Sequence, residues 1–152
     1  MPFKNNSFDN VICIDTLEHI QKDKRKLFIN ELIRVSKKIL VIGTPHSEAY
    51  FFENLILNLG ILFGKEMKWL KEHKENTLPK KEEISEILKN EKFTIYKNCN
   101  IVIWFLQILL DFFTKPLQSA LGEKYILNFY GPFSRYINFG KTYRLIVVID
   151  KI

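Results

Sequence analysis

Two carboxylates and an imidazole stand close together near the start of the chain, at Asp15, Glu18 and His19. Carboxylate and imidazole groups together suit divalent cations such as Mg²⁺, Mn²⁺ or Zn²⁺. Alternatively, His19 is a general base that removes the proton of an acceptor hydroxyl, with Glu18 tuning its basicity. A third interpretation is purely structural: Glu18 and His19 cap backbone amides in a turn while Leu17 packs inward.

The position of this cluster follows from the residues before it. A short apolar run, Val11 to Ile14, is entered from a polar turn at residues 5–7. A run that is apolar at every position is typical of a strand covered on both faces, as in a parallel sheet. Ligands of open α/β sheets bind at the carboxyl ends of the strands, so we expect the cluster at the edge of a binding site.

The next two elements predict a parallel crossover. Residues 23–36 are expected to be a helix, because apolar side chains recur there at three and four residues. On that helix the core side is predicted to hold Leu27, Phe28, Leu32 and Val35, and the water side Lys22, Lys24, Arg25 and Lys26. A second buried strand, Ile39 to Ile42, follows and is stopped by Gly43-Thr44-Pro45. Strand, helix, strand is the repeating unit of an α/β fold.

The rest of the chain predicts further elements of the same single domain. They are a helix over 47–62, a loop over 65–79, a helix over 80–89, a strand over 93–96 and a last strand over 143–149. His46 follows the second strand, where it can contact substrate or simply lie in a surface loop. His73 falls in the predicted loop, where its spacing does not distinguish substrate contact from capping.

Three aromatic and apolar blocks, at 50–63, 101–113 and 125–139, predict either a lid or core packing. As a lid they suit a small-molecule or lipid-like acceptor, such as a polyprenyl, quinone or lipid-linked sugar, or peripheral membrane contact. As core they pack on each other and on the sheet, and a third alternative is that they cover a partner chain. The thirteen residues from Ile101 to Phe113 are too few to span a bilayer.

Composition narrows the functional classes. The chain has 152 residues and a formal net charge of +6, but its lysines alternate with glutamates between Lys65 and Lys97. Such alternation indicates solvated helix faces, so no nucleic-acid partner is expected. Cys13 and Cys99 lack metal-ligand spacing, and Cys13 is expected to pack as a small apolar residue. A polar N-terminus without a signal peptide, and no need for a disulfide, predict a cytoplasmic protein.

The stretch NNSFDNVICIDTLEHI resembles the middle of class I S-adenosylmethionine-dependent methyltransferases of the type 11 kind. ELIRVSKK and ILVIGTP follow it at that family's spacing, and WLKEHKENTLPKKEEISEIL and TYRLIVVID continue the likeness more faintly. The resemblance implies an α/β fold: a partial Rossmann-like sheet made of the last four of seven strands, with the last pair antiparallel. It also implies methyl transfer from S-adenosylmethionine to an unidentified acceptor.

In that family the glycine-rich cofactor loop and the ribose-binding acid belong to the first three strands, which the resemblance places before residue 1. The chain is therefore expected to be a C-terminal portion: 1–45 is the strongest match, 46–142 holds helical insertions or a lid, and 143–152 is the last strand. Alone it is expected to bind the cofactor poorly or not at all. Activity is expected in a longer or two-chain enzyme. The alternatives are a non-catalytic scaffolding subunit and a truncated product without independent activity.

Roles are expected for individual residues. Asp15, Glu18 and His19 are predicted to form the acceptor-side wall, with Glu18 and His19 as the catalytic residues. Phe3 and Asp15 are predicted to contact the cofactor, Phe3 near its adenine, and His46 is predicted to contact the substrate. Some quinone and small-RNA methyltransferases hold Mg²⁺ with Glu-x-x-Glu-His, a pattern in which Asp15 here replaces the first glutamate. With the upstream strands absent, the first strand becomes a sheet edge, which predicts self-association or a partner chain.

Overall fold

Four strands and four helices position the residues singled out above. The computed structural model describes residues 1–109 and 140–151. The strands are β1 (Phe8–Ile14), β2 (Ser36–Pro45), β3 (Phe93–Asn100) and β4 (Thr142–Asp150). The helices are α1 (Lys22–Val35), α2 (Tyr50–Leu62), α3 (Lys68–Asn76) and α4 (Lys81–Ile87). Short 3-10 turns occupy Leu17–His19 and Ser47–Ala49, and residues 101–109 are also helical.

The strands form one sheet in the order β1-β2-β4-β3. β1 and β2 are parallel, whereas β4 is antiparallel to both of its neighbours, β2 and β3. This arrangement confirms the predicted strand–helix–strand crossover, the antiparallel last pair and the partial Rossmann-like fold class. Among the described strands, β1 lies at one edge of the sheet. Because β4 runs against β2, its first residues lie beside the carboxyl ends of β1 and β2.

One face of the sheet carries the main core, because α1 and α4 pack on it. Alternation along β4 shows this face directly: Leu145, Val147 and Ile149 are buried, while Ile146 and Val148 between them are only half-buried. The other buried side chains of this core are Cys13, Leu17, Ile29, Leu32, Leu40, Ile42, Ile84 and Leu88. Full burial of a side chain of this size contributes about 1.5–3 kcal/mol. The prediction that Cys13 packs as a small apolar residue is confirmed.

The opposite face of the sheet is open along β1. Ile12 is 71% exposed and Ile14 is 40% exposed, and their neighbours in register on β2 are Val41 and Gly43. The expectation that the apolar run is covered on both faces was therefore wrong. A continuously apolar sequence predicts two covering layers, but in the described part of the chain only the α1 side of β1 has one.

A second cluster of buried side chains lies beyond the carboxyl ends of the strands. It joins α2, α3 and the helix at 101–109 to the start of β4. Its members are Ala49, Ile56, Leu57, Leu70, Leu78, Ile101, Trp104 and Tyr143. The first two aromatic blocks thus contribute to core packing in part, although Phe51 stays 70% exposed. The block at 125–139 lies outside the described residues. Among the described helices, none has the length and apolar content to cross a bilayer.

The predicted loop over 65–79 was wrong, because most of it forms α3. Leu70 and His73, three residues apart, are both buried against α2 and the Leu17–His19 turn. Apart from Trp69 and Asn76, the other residues of this short helix are charged. Its apolar face is narrow, so the sequence pattern alone resembles a polar loop. Tertiary packing supplies the stability that the local sequence lacks.

The water-facing assignment of Arg25 on α1 was also wrong. Arg25 is 1% exposed, and its guanidinium donates hydrogen bonds to the carbonyl oxygens of Ile20, Asn76 and Thr77. It also pairs with the carboxylate of Glu83 on α4. The core face of α1 is therefore rotated from the predicted one, and Leu27, predicted inward, is 69% exposed.

Arg25→Met should strongly destabilise the fold. The substitution keeps the side-chain volume but leaves Glu83 and three carbonyl oxygens without their buried donor. Loss of one partner of a buried pair costs about 3–5 kcal/mol, and the partial exposure of Glu83 favours the lower end. Urea denaturation followed by circular dichroism measures the difference. The exposed neighbour Lys24→Ala is the control, with a change within about 0.5 kcal/mol. Equal stability of both variants would contradict a structural role for Arg25.

Candidate active site

The turn after β1 brings the first site residues into position. Asp15 has φ of 50°, in the left-handed region that aspartate tolerates better than most residues. Its N–H donates to the carbonyl of Gly43 on β2 (2.8 Å), which holds the turn against the neighbouring strand. Leu17 then inserts fully into the core. With that anchor in place, the 3-10 turn directs Glu18 and His19 beyond the carboxyl edge of the sheet.

Glu18 is buried, with 1% exposure, beneath this turn. Its carboxylate accepts a hydrogen bond from the hydroxyl of Thr44 on β2 (3.0 Å). Burial raises the pKa of the Glu18 carboxyl above its usual range, while hydrogen bonds from its own backbone amide and from Thr44 act in the opposite direction. The Glu18 carboxyl group is thus held at the strand ends in surroundings that disfavour its ionised form.

Asp15 is paired with an arginine from the last strand. Arg144 Nη2 lies 2.7 Å from both carboxylate oxygens of Asp15. The antiparallel direction of β4 makes this contact, since it places the start of β4 beside the end of β1. Arg144 Nε is buried and has no hydrogen-bond partner among the described residues. Asp15 is therefore engaged by a cation of this chain.

His73 reaches the same place from α3. It is 3% exposed, and its Nδ1 lies 3.0 Å from a carboxylate oxygen of Glu53 on α2. Its ring contacts that of Trp69 edge-on, with centroids 5.3 Å apart, and that of His19 at 5.2 Å. This buried pair of Glu53 and His73 fixes the orientation of the His73 ring.

His19 completes the group from the more exposed side. Its Nδ1 lies 2.9 Å from Glu72 on α3, and its carbonyl oxygen accepts from the side-chain amide of Asn76 (3.2 Å). Ligand atoms of Glu18, His19 and His73 all lie within 4.8 Å of one another. The structure thus brings together two of the three clustered residues with a histidine distant in sequence.

These residues line a cavity of about 180 Å³ at the carboxyl ends of β1 and β2. Its lining includes Asp15, Glu18, His19, Trp69, His73 and Arg144. A larger crevice, about 240 Å³, lies between α1 and α4 and is lined by side chains such as Lys26, Asn30 and Glu86. Those side chains are solvated and far from the strand ends, so the smaller cavity is the better candidate for chemistry.

Two residues named from the sequence do not reach this cavity. His46 is 3% exposed, and its Nε2 lies 3.4 Å from the hydroxyl of Thr142 and 3.8 Å from the carboxylate of Glu48. Phe3 packs edge-on against Phe8, with ring centroids 5.0 Å apart, at the start of β1. Seven residues of strand, roughly 20 Å, separate that end of β1 from the site.

The sequence did not point to Glu53, which pairs with His73, or to Arg144, which lines the cavity. Glu53 is an acid inside an apolar helix, and Arg144 is a cation inside a β-branched strand. Such interruptions signal buried polar contacts, and both could have been found on that ground. His73 was placed in a predicted loop, and this assignment hid that Trp69 and His73 stand four residues apart on one helical face.

Buried His46 makes stability depend on pH. Burial lowers the pKa of His46 below its ordinary value of 6.5, and the Glu48 carboxylate opposes that shift. The unfolded chain therefore binds a proton more readily than the native state. Stability should be complete above the unfolded pKa and decrease as the pH falls through about 6.5 towards the lower folded value.

His46→Gln should flatten this dependence. Urea denaturation at pH 7.5, 6.5 and 5.5 would compare the slopes, which for one proton differ by at most about 1.4 kcal/mol per pH unit. Glu48→Gln keeps His46 but removes the carboxylate that opposes the lowering of its pKa, so its dependence on pH should be at least as steep as that of wild type. Parallel pH profiles for wild type and His46→Gln would show that His46 does not titrate differently in the two states.

Comparison with known proteins agrees with this fold. Residues 1–41 match the methyltransferase domain family, and no curated protein is significantly similar in sequence. Phosphoethanolamine N-methyltransferase 2 of Haemonchus contortus, in complex with phosphomonomethylethanolamine and S-adenosylhomocysteine, is 16% identical, with a TM-score of 0.50 over 98% of this chain and 34% of that chain.

A structure described as a SAM-dependent methyltransferase from Archaeoglobus fulgidus is 11% identical, with a TM-score of 0.49 over 98% of this chain and 62% of that one. The chain thus spans less than two thirds of the length of these proteins. Residues 1–41 are thus similar in sequence to the methyltransferase domain family, and the fold of the chain is similar to that of part of the Haemonchus contortus methyltransferase.

Proposed function

We propose that this chain forms the acceptor side of an S-adenosylmethionine-dependent methyltransferase. The observation that carries the proposal is the cavity bearing Glu18 and His19 at the carboxyl ends of β1 and β2, in a chain whose first 41 residues match the methyltransferase domain family. Ligand sites of open α/β sheets lie at these strand ends.

The described residues do not by themselves fit a whole S-adenosylmethionine molecule. A cavity of about 180 Å³ is smaller than the roughly 300–1,000 Å³ of sites that enclose a cofactor-sized ligand. Phe3 lies at the far end of β1, and Asp15 is engaged by Arg144. We therefore propose that residues beyond those the structure describes complete the cofactor site, in a longer chain or a two-chain enzyme.

The task of the acceptor side in such a reaction is mainly geometric. The cofactor supplies an electrophilic methyl group, and the transfer requires the acceptor atom to be held in line with it. The Leu17–His19 turn and α3 present fixed polar groups around the cavity, suited to orienting an acceptor. The exposed apolar side chains of α2, Phe51 and Leu62 among them, favour a lipid-like acceptor or contact with a membrane surface.

The open face of the sheet supports a two-part assembly. Phe8, Ile12 and Ile14 on β1 are exposed, and so is Tyr96 on β3. Among the strands that the structure describes, β1 is also at the sheet edge, where a further strand can pair with its backbone. We propose that further polypeptide pairs with β1 and covers this face. The same observation favours the second candidate function, a scaffolding subunit that binds a catalytic chain.

S-adenosylhomocysteine binding tests the first proposal. Calorimetric titration into the 152-residue chain alone should show weak or no binding. The titration is then repeated with a chain extended by the coding sequence that lies in frame upstream, or with a neighbouring gene product that supplies a glycine-rich strand–loop–helix. Either form should give micromolar binding. Transfer of labelled methyl groups to an acceptor panel then follows, with Asp15→Ala compared at each stage. Absence of binding and transfer in the assembled form would favour the scaffolding role.

Ile12→Lys should reduce association through the open sheet face. A charge at this position opposes burial of the apolar surface against another chain. Size-exclusion chromatography with light scattering would measure the mass of the chain across a concentration series. Leu27→Lys is the matched control. Leu27 lies on α1, away from the open sheet face, and its side chain is as large and as exposed as that of Ile12, so this variant should associate like wild type. A monodisperse wild-type monomer at all concentrations would count against self-association.

A further inference from the structure

We propose that Glu18, His19 and His73 bind a divalent transition-metal ion at the acceptor wall, with Zn²⁺ as the reference ion. This inference deepens the proposed function, because it assigns a ligand to the same cavity. It rests on the convergence of two segments that are 54 residues apart in the chain, the turn after β1 and helix α3. Neither segment holds the complete ligand set.

The geometry of the three side chains suits one ion. Their ligand atoms lie within 4.8 Å of one another. Two ligand atoms on one tetrahedral Zn²⁺ lie about 3.4 Å apart, so changes of side-chain rotamer that bring them closer by up to about 1.4 Å are needed to bind one ion. Glu18 and His73 are buried while His19 is exposed, which leaves the group open on one side. An ion can enter from that side.

Each of the two imidazole rings has a carboxylate next to its Nδ1 atom. Glu53 lies 3.0 Å from Nδ1 of His73, and Glu72 lies 2.9 Å from Nδ1 of His19. The Nε2 atoms of both rings have no hydrogen bond within the described ranges of the chain. A carboxylate on one ring nitrogen orients the ring and increases the basicity of the other nitrogen, which is the usual arrangement around histidines that bind metals.

The donor set favours a transition metal over Mg²⁺. Mg²⁺ prefers oxygen ligands, and the second nearby carboxylate, Asp15, is held by Arg144 at 2.7 Å. With Asp15 engaged and His73 added, the group consists of two imidazoles and one carboxylate. That combination suits Zn²⁺ and leaves coordination positions for a further ligand. An oxygen atom of the acceptor, such as a hydroxyl bound in the cavity, would suit such a position.

Metal binding to the full 152-residue chain tests this inference without any methyl donor. After removal of metals with a chelator, titration with Zn²⁺ should give one site per chain. Co²⁺ should produce visible absorption bands typical of a site with nitrogen and oxygen ligands. His19→Ala, at an exposed position that should not affect folding, should abolish both signals. Glu53→Gln, which keeps all three ligands, should weaken binding about 10- to 100-fold.

Asp15→Asn is the matched control, because it removes a carboxylate from the same cavity without removing a proposed ligand. Its Zn²⁺ affinity should stay within about threefold of wild type. Circular dichroism would confirm that each variant is folded. Absence of a stoichiometric site, or equal binding by wild type and His19→Ala, would overturn the inference. So would a Mg²⁺ site that depends on Asp15. These results are independent of S-adenosylhomocysteine binding, so failure here does not bear on methyl transfer.

Discussion

The buried guanidinium of Arg25 is the constraint on which the arrangement of the candidate site depends. It binds the carbonyl of Ile20 at the end of the turn after β1, and the carbonyls of Asn76 and Thr77 at the end of α3. One side chain thus ties together the two segments that carry His19 and His73. Glu83 on α4 balances its charge. A buried cation of this kind is stable only while all its partners are present, so the site and this part of the core are coupled.

The backbone adapts to this arrangement. Thr77 has φ of 58°, a conformation that is unfavourable for a β-branched residue, and its carbonyl is one of the acceptors for Arg25. Asp15, at the other segment, is likewise in the left-handed region. Both departures occur where a chain segment turns towards the cavity. Their cost is offset by the hydrogen bonds that these turns make, and backbone strain of this type is concentrated at functional sites.

The antiparallel last strand shapes the electrostatics of the cavity. By running against β2 it brings Arg144 to Asp15 and Tyr143 beneath α2 and the helix at 101–109, where its ring stacks on Trp104. Two carboxylates side by side at the strand ends would repel each other. Arg144 neutralises one of them, and burial together with the Thr44 hydroxyl governs the other, Glu18. The two acids therefore occupy different environments although they are three residues apart.

The sequence alone determined the strand–helix–strand unit and the position of the Asp15–His19 cluster at the strand ends. These features depend on local apolar patterns and on a family resemblance that covers contiguous segments. Tertiary structure decided the remainder. Four features depend on contacts between segments that are far apart in the chain. They are the burial of Arg25, the helix at 68–76, the pairing of Asp15 with Arg144 and the contact of His73 with His19. No local pattern encodes such contacts, because their energy is gained only when both segments are buried together.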